Sequence, residues 1–384
     1  MRSVLLGQPA RRLMFVFVAV VVGLACWPLA ATAAPVLLAA PSPRGSRGDR
    51  FAGVSCTDDT DCLAVGSFLT ANRRREGLIE GWNGVRWTIV SDGPISGLQP
   101  VFLESISCAT SGWCMAVGTG QRGKAWLPVA ERWDGSRWHV TAPVALGGAT
   151  ANGDLSSVSC AAPGECSAVG GYLRGDGGAA IAQRWQDGKW TLAYRSKPVS
   201  HGDARLNAVS CESANSCVAV GGHTTRRAAH GTMLRWGGTR WQPVHVGLPG
   251  RSELRSVSCP DATSCLLVGS QTVGHVASPV ADQLTGGHLT TLPIAAGEGA
   301  GEFYDVSCAT AIRCLALGAT IPDSGQGTAQ AWDGTGFKYV FGAPGSGIPP
   351  WSAASCRPSF CILAGAAGRH VLTERYDFPI PPQP

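Results

Sequence analysis

The chain has 384 residues, of which 45% are apolar and 15% charged, with 51 glycines and 15 cysteines. This apolar content is sufficient for a packed core and excludes a disordered chain. Three arginines lie in a candidate leader; the remaining 28 basic and 26 acidic residues give a net charge of +2, too small to indicate nucleic-acid binding.

Residues 1–33 have the features of a signal peptide. Three arginines precede the uncharged run 13–27, and Ala-Thr-Ala at 31–33 is a small-residue cleavage site. We therefore expect export, cleavage and a secreted or extracytoplasmic mature chain without a membrane span. Two alternatives are an uncleaved N-terminal anchor and lipid attachment at Cys26, although Leu24 stands one place too late for a lipobox.

Seven cysteine pairs divide residues 34–384 into repeats. The first cysteines of successive pairs are 48–52 residues apart, a period typical of a propeller or solenoid. The pairs are Cys56/Cys62, Cys108/Cys114, Cys160/Cys166, Cys211/Cys217, Cys259/Cys265, Cys308/Cys314 and Cys356/Cys361.

Each repeat contains four short segments with the alternation of β-strands. The first ends at a cysteine (Leu155–Cys160), the second reads Cys-x-Ala-Val-Gly (Cys166–Gly170), and the third and fourth flank a glycine-containing turn. Four strands in about 50 residues make one propeller blade. The sequence therefore predicts an all-β, seven-bladed propeller of four antiparallel strands per blade, with blades starting near residues 51, 103, 155, 206, 254, 303 and 351.

Aromatic pairs five residues apart flank most of the third turns. A hairpin loop of four residues places such a pair on opposite strands, where it can pack between blades. The alternative is a row of platforms for sugar stacking. The pairs are Trp82/Trp87, Trp133/Trp138, Trp185/Trp190, Trp236/Trp241 and Trp332/Phe337.

The seventh repeat ends after its third strand, near Asp377. The apolar run Val36–Ala39 resembles the fourth strands of the other repeats. We therefore predict that it pairs beside Thr373–Asp377 and closes the ring, since an open ring would leave an unpaired edge.

The paired cysteines are predicted to form one disulfide in each blade. Zinc binding is the competing interpretation, but pairs about 50 residues apart on separate blades would not converge on one ion. We expect no cofactor and no metal. Calcium at Asp58, Asp59 and Asp61 and a metal at His223 and His230 are weaker alternatives to ordinary turn and loop residues.

The loops are of two kinds. The turns joining strands 1–2 and 3–4 are nearly constant and define a constant face, whereas the 2–3 and blade-to-blade loops vary and define a variable face. Residues six positions before each first cysteine should surround the channel mouth on the variable face. They include the predicted ligand-binding residues Arg50, Asp154, Arg205, Glu253 and Glu302, together with Phe102 and Pro350.

The pattern Ser-Val-Ser-Cys, Cys-x-Ala-Val-Gly and Arg-Trp-Asp-Gly-x-x-Trp resembles secreted bacterial β-propeller repeat proteins of actinobacterial type. The double glycines at 170–171 and 221–222 are similar to kelch repeats, and the Asp-Gly-x-x-Trp turn is similar to the Asp-box (BNR) turn of sialidase-like propellers. A galactose-oxidase-like kelch protein would imply copper and a Tyr–Cys crosslink, which cysteines already paired do not allow. A sialidase-like enzyme would imply an arginine triad and a Tyr/Glu pair, for which Tyr304 and Glu302 are the adjacent candidate.

These observations predict a non-catalytic scaffold that binds an extracellular protein or a glycan through its variable face. The alternative is a glycan-active enzyme of sialidase-like, exo-glycosidase type, in which mouth carboxylates would cleave a glycosidic bond. A third interpretation is a rim of ordinary solvated side chains. We expect a monomer that does not bind nucleic acid.

Overall fold

A computed structural model describes residues 36–93, 95, 97–144, 146, 152–225, 228–248, 251–274, 276–294, 300–321, 327–342 and 351–379. The expected signal peptide, Cys26 and Pro350 lie outside these residues. The described part is all-β, and none of it forms a helix long and apolar enough to cross a lipid bilayer.

The strands follow one another in chain order and form one sheet in each blade. The first strand of the described chain is β1 (Val36–Leu38). Blade 1 then contains β2 (Asp49–Cys56), β3 (Cys62–Leu69), β4 (Arg75–Trp82) and β5 (Trp87–Gly93). Blade 2 contains β6 (Val101–Thr110), β7 (Trp113–Arg122), β8 (Ala125–Trp133) and β9 (Trp138–Thr141). Blade 3 contains β10 (Asn152–Ala162), β11 (Glu165–Arg174), β12 (Gly177–Gln186), β13 (Lys189–Arg195) and the two-residue β14 (Val199–Ser200).

The remaining blades repeat this order. Blade 4 contains β15 (Asp203–Ser213), β16 (Ser216–Thr224), β17 (Ala229–Trp236) and β18 (Trp241–Val244). Blade 5 contains β19 (Arg251–Ser258), β20 (Ser264–Val273), β21 (Val276–Thr285) and β22 (His288–Thr291). Blade 6 contains β23 (Ala300–Thr310), β24 (Arg313–Ile321), β25 (Gly327–Trp332) and β26 (Phe337–Gly342), and blade 7 contains β27 (Trp351–Cys356), β28 (Phe360–Ala367) and β29 (His370–Asp377).

The N-terminal strand completes blade 7, as the sequence predicts. The sheet order there is β1-β29-β28-β27, with Val36 opposite Arg375 and Leu38 opposite Thr373. The Thr373 hydroxyl also donates to the Leu38 carbonyl at 2.7 Å. The ring is therefore closed by strands from the two ends of the described chain.

The first strand of each blade carries a β-bulge, so its apolar residues are three positions apart instead of alternating strictly. In blade 3 the register shifts between Leu155 and Ser157, which leaves Ser156 as the extra residue. The bulge brings the Asp154 carbonyl against Gly170, where a Cβ would lie 2.1 Å from that oxygen. This approach explains why the last residue of this segment is glycine in all seven repeats.

The core lies between blades. Seven apolar clusters occur in the described residues, one at each junction from blades 1–2 round to blades 7–1. Trp185 and Trp190 face each other with ring centroids 5.6 Å apart, and both belong to the same buried cluster as Met115 of the preceding blade. The packing interpretation of the aromatic pairs is confirmed, and the sugar-platform alternative is wrong for these buried rings.

All seven predicted disulfides are present, one in each blade, with Cα–Cα distances of 3.9–4.1 Å. They join the two cysteines of each repeat: Cys56–Cys62, Cys108–Cys114, Cys160–Cys166, Cys211–Cys217, Cys259–Cys265, Cys308–Cys314 and Cys356–Cys361. The second cysteine of every pair is buried. The disulfide interpretation is confirmed, and zinc binding by these cysteines is wrong because each sulfur is bonded to its partner within the blade.

The start of the second strand corrects the sequence analysis by one residue. The Cys-x-Ala-Val-Gly segment implies a strand that begins at the second cysteine, which is true of blade 1 alone. In the other six blades the strand begins one residue earlier, because that residue also pairs with the first or third strand, as Trp113 does with Thr110. The cysteines that consequently occupy the second strand position are Cys114, Cys166, Cys217, Cys265, Cys314 and Cys361.

A serine beside each disulfide links neighbouring blades. The serine before each first cysteine accepts a hydrogen bond, at 2.9–3.0 Å, from the first-cysteine N–H of the next blade. These serines, which we call the serine belt, are Ser55, Ser107, Ser159, Ser210, Ser258, Ser307 and Ser355. The belt links every neighbouring pair of blades, including blades 7 and 1.

A buried polar side chain recurs on the third strand in six of the seven blades, two residues before the position that the first tryptophan of an aromatic pair occupies. The members are Glu80, Glu131, Gln183, Asp282, Gln330 and Glu374. The Gln183 amide accepts from the Val144 N–H at 2.8 Å and donates to the Val144 carbonyl at 2.9 Å, which fixes the incoming loop. Burial raises the pKa of Glu80 to about 8, with Asp49 contributing, and that of Glu131 to about 7. At neutral pH Glu80 therefore holds a proton that a free carboxyl group would lose, and Glu131 is about half protonated.

Candidate functional site at the variable-face mouth

The predicted ligand-binding residues occupy equivalent places in the fold. Each lies near the variable-face end of a first strand, paired with a residue near the end of the second: Arg50 with Ser67, Asp154 with Gly171, Arg205 with Gly222, Glu253 with Ser270 and Glu302 with Ala319. A ligand-binding role for these residues remains a prediction.

Ion pairs join the mouth residues of successive blades. Arg205 Nη2 lies 2.6 Å from Asp154 Oδ2 and 2.7 Å from Ser156 Oγ. Arg50 Nη2 lies 3.6 Å from Glu104 Oε1. These pairs connect blade 4 to blade 3 and blade 1 to blade 2.

The acids of blades 5 and 6 share one arginine. Arg255 Nη2 lies 3.4 Å from both Glu253 Oε2 and Glu302 Oε2. Asn207 also donates to Glu253 Oε1 at 3.0 Å. The mouth carboxylates are therefore paired with arginines and do not face one another directly.

A cavity of about 460 Å³ opens on the variable face and is lined by residues of blades 1 to 4. Its volume is within the range of small-molecule sites. Its lining is more apolar than polar, and its apolar residues include Phe102, Trp126, Tyr172 and Leu173. Its charged lining residues are Arg50, Glu104, Asp154, Asp203 and Arg205. Three of the five predicted residues therefore line one cavity, and Glu253 and Glu302 do not.

Phe102 is packed between charged and aromatic groups. The guanidinium carbons of Arg50 and Arg75 lie 5.9 and 5.6 Å from its ring centroid, and the Trp126 ring lies 6.0 Å away. Asn152 fixes the Trp126 backbone by accepting its N–H at 3.0 Å. The wall of the cavity is thus a continuous cation–aromatic array.

Two half-buried acids, one in the cavity and one in the central channel, have raised pKa values. Burial raises the pKa of Glu104; Arg50 and Arg205 oppose this effect and Asp154 adds to it. Glu104 also lines the central channel, which has a volume of about 320 Å³ and contains Asp305. Burial raises the pKa of Asp305 to about 6, although this carboxylate accepts hydrogen bonds from Ser256 Oγ and from the Ala354 N–H.

The weaker metal candidates have local structural roles. Among the described residues, no group of three or more His, Cys, Asp and Glu side chains could hold a metal ion. His223 and His230 are cross-strand neighbours with ring centroids 5.1 Å apart. Asp58 Oδ1 accepts from the Thr60 N–H and hydroxyl at 2.8 and 2.7 Å, as expected for a turn aspartate.

The structure also shows where the candidate sialidase-like pair, Tyr304 and Glu302, lies. Tyr304 lines the central channel next to Asp305, not the cavity, and burial raises its pKa. Glu302 is held at the mouth by Arg255. The two adjacent residues therefore do not form the nucleophile pair that the resemblance would imply.

Sequence reasoning missed several residues of the cavity and of the channel mouth. Glu104 and Arg255 are the extra residues of their bulges, and the three-residue spacing of the flanking apolar side chains was the signal for them. Trp126 and Tyr172 begin or end strands beside variable loops, but no sequence pattern links these two blades at that point. Their contribution to one cavity depends on how blades 2 and 3 pack.

Fold and disulfides define the protein as a closed seven-bladed β-propeller. No family model matches the chain, and no curated protein matches it. Solved structures that are similar include "YCF48 bound to D1 peptide", with a TM-score of 0.54, 13% identity and coverage of 88% of this chain and 99% of that one. A chain of a mitotic checkpoint complex has a TM-score of 0.55 and 11% identity, with coverage of 96% and 98%.

A GH74 xyloglucanase from Xanthomonas campestris is also similar, with a TM-score of 0.56 and 13% identity, over 89% of this chain and 54% of that enzyme. At these identities the likeness establishes the fold alone.

Proposed function

We propose that the protein is a non-catalytic, extracytoplasmic scaffold that binds a protein or glycan through its variable face, with the 460 Å³ cavity as the centre of contact. The carrying observation is that this cavity combines the half-buried aromatic rings of Phe102 and Trp126 with several fixed charges. Such a combination is typical of ligand sites, because apolar walls supply affinity and polar groups supply orientation.

The opposite face supports this assignment by contrast. The first tryptophan of the pair in blades 1, 2, 4 and 6 donates to a turn carbonyl, as Trp133 does to Ser111 at 3.1 Å. Turn acids accept from their own loops, as Asp134 does from Ser136 and Arg137. Polar groups that already form these hydrogen bonds have few donors and acceptors left for a ligand.

The compartment is part of the proposal. Seven disulfides in one chain are typical of an oxidising environment, and the leader-like residues 1–33 supply a route to it. We assign the protein to the secreted kelch-like and BNR-like propellers that its repeats resemble, acting as a monomer. The peptide named with YCF48 is consistent with a protein ligand at such a scaffold.

The test is a combined glycan-array and protein pull-down screen with the purified secreted protein. Trp126→Ala should weaken any captured ligand at least about tenfold. Val85→Ala is the matched control, since Val85 is 82% exposed in a turn of the constant face. Capture that is unchanged by Trp126→Ala would remove the cavity from the proposal.

A second candidate is glycan hydrolysis, which one observation favours. Glu104 and Asp154 line the same cavity, and burial favours the protonated form of Glu104, as a general acid requires. A panel of chromogenic glycosides tests it. Release of the chromophore by the wild type and its loss in both Glu104→Gln and Asp154→Asn would favour the enzyme, and no release would exclude these substrates.

A further inference from the structure

The cavity is lined by three acidic side chains and two basic ones. Arg50 faces Glu104, and Arg205 is held by Asp154. The Asp203 carboxylate has no hydrogen-bond or ion-pair partner among the described residues. Asp203 is therefore the one charged lining residue of the cavity that has no charged partner among the described residues.

The position of Asp203 is determined by the backbone beside it. A Cβ on Gly178 would lie 2.3 Å from Asp203 Oδ1, so the glycine makes room for this carboxylate. Asp203 begins β15, and the β12 strand that holds Gly178 is the third strand of the preceding blade. The charge is thus built into a junction between blades rather than carried on a free loop.

The aromatic residues of the cavity already pack against guanidinium groups. Two guanidinium groups of the chain itself, those of Arg50 and Arg75, flank Phe102. Trp126 extends the same array and has no such partner among the described cation–aromatic contacts. A planar cation gains from an indole face and from a carboxylate in the same cavity, more so than a neutral group.

We propose, building on the binding function above, that the cavity takes the guanidinium side chain of an arginine in a protein partner, stacked on Trp126 and paired with Asp203. Tyr172 and Leu173 supply apolar surface for the methylene groups of that side chain. The exposed Arg73, Arg74 and Lys124 lie at hairpin tips of the same face. Exposed charges are screened over about 10 Å at physiological salt, whereas Asp203 would pair with the guanidinium group at contact distance.

The experiment uses the full secreted protein and three capped peptides, Ac-Gly-X-Gly-amide, in which X is arginine, citrulline or glutamate. Citrulline has nearly the shape of arginine without its charge. Binding is followed by the Trp126 indole N–H signal in nitrogen-15 spectra, identified by its loss in Trp126→Phe. We expect the arginine peptide to shift this signal with a Kd of about 1–10 mM and the citrulline peptide to bind at least about tenfold more weakly.

Asp203→Asn should weaken the arginine peptide about five- to tenfold, and Asp176→Asn is the matched control because Asp176 is an exposed acid paired with His201 at 2.9 Å. No shift at about 20 mM arginine peptide, or equal shifts with citrulline or glutamate, would overturn the inference without any need for a variant to fold. A screened ligand that requires Trp126 but carries no cation, such as a neutral glycan, would overturn this inference and leave the proposed function intact.

Discussion

The constant and variable faces are made by the same seven repeats but hold neighbouring blades together in different ways. At the constant face, each blade ends in a disulfide and accepts a backbone N–H through the same serine, all round the ring. At the variable face, equivalent positions hold arginine, phenylalanine, aspartate or glutamate, and the ion pairs between them differ from junction to junction.

The difference follows from what each contact recognises. A belt serine binds a backbone N–H, and the backbone is the same in every blade, so one residue serves seven junctions. A side chain at the mouth meets another side chain, so each junction can differ without disturbing the ring. Variation is therefore concentrated on one face, where a ligand can use it.

The largest expected effect comes from removing the strand that closes the ring. Deletion of residues 35–40 exposes the hydrogen-bonding edge of β29 and removes Leu38 from the cluster between blades 1 and 7. We expect aggregation or a fall in melting temperature of about 10 °C or more, measured by differential scanning calorimetry. Deletion of residues 379–384 is the control and should have little effect, and an unchanged profile in the first variant would contradict the closing role of β1.

A constant-face disulfide should be the next most costly loss. The double variant Cys160→Ala, Cys166→Ala opens a loop with a sequence separation of 6 and should lower the free energy of unfolding by about 2 kcal/mol in chemical denaturation. Non-reducing peptide mapping should recover seven bridges within repeats. Free thiols at most of the fourteen positions in native secreted protein would refute both the pairing and the assigned compartment.

A belt serine should matter more than a mouth serine. Ser107→Ala leaves the Cys160 N–H without its partner and should destabilise the protein by about 1–2 kcal/mol. Ser352→Ala is the matched control, because Ser352 is exposed at the channel and should change stability by less than about 0.5 kcal/mol. Equal effects at the two positions would remove the distinction between the faces.

The smallest expected effect is a gain in stability when one buried acid, Glu80, is replaced. Because the pKa of Glu80 is raised to about 8 in the fold, the folded state keeps a proton that the unfolded state loses above about pH 4.5. Stability should therefore fall as the pH rises from about 4.5 to 8. Glu80→Gln, which copies Gln183 of blade 3, should remove this slope and raise stability at pH 8 by about 1 kcal/mol.

Thermal melting at pH 5 and pH 8 tests this sign. Glu212→Gln, at an exposed acid, is the control and should leave the slope unchanged. An unchanged slope in Glu80→Gln would show that this carboxyl group is already ionised in the folded protein and would contradict the raised pKa.

Much of the fold could be predicted because its determinants recur along the chain. The cysteine period, the Cys-x-Ala-Val-Gly segments and the aromatic pairs predict seven blades, and the missing fourth strand of repeat 7 predicts the partner for residues 36–38. The bulge was missed because alternation was assumed to be strict, and with it Glu104 and Arg255 were missed as mouth residues.

The sequence alone determined the blade number, the disulfide pairing and the end-to-end closure, since each depends on a local pattern repeated at a fixed spacing. Only the tertiary structure decided which variable residues meet. Trp126, Tyr172 and Asp203 come from three different blades, and no periodic signal connects them. Their common cavity arises because packing between blades brings residues about 30–50 positions apart in sequence to one surface, and that packing is set by the whole ring.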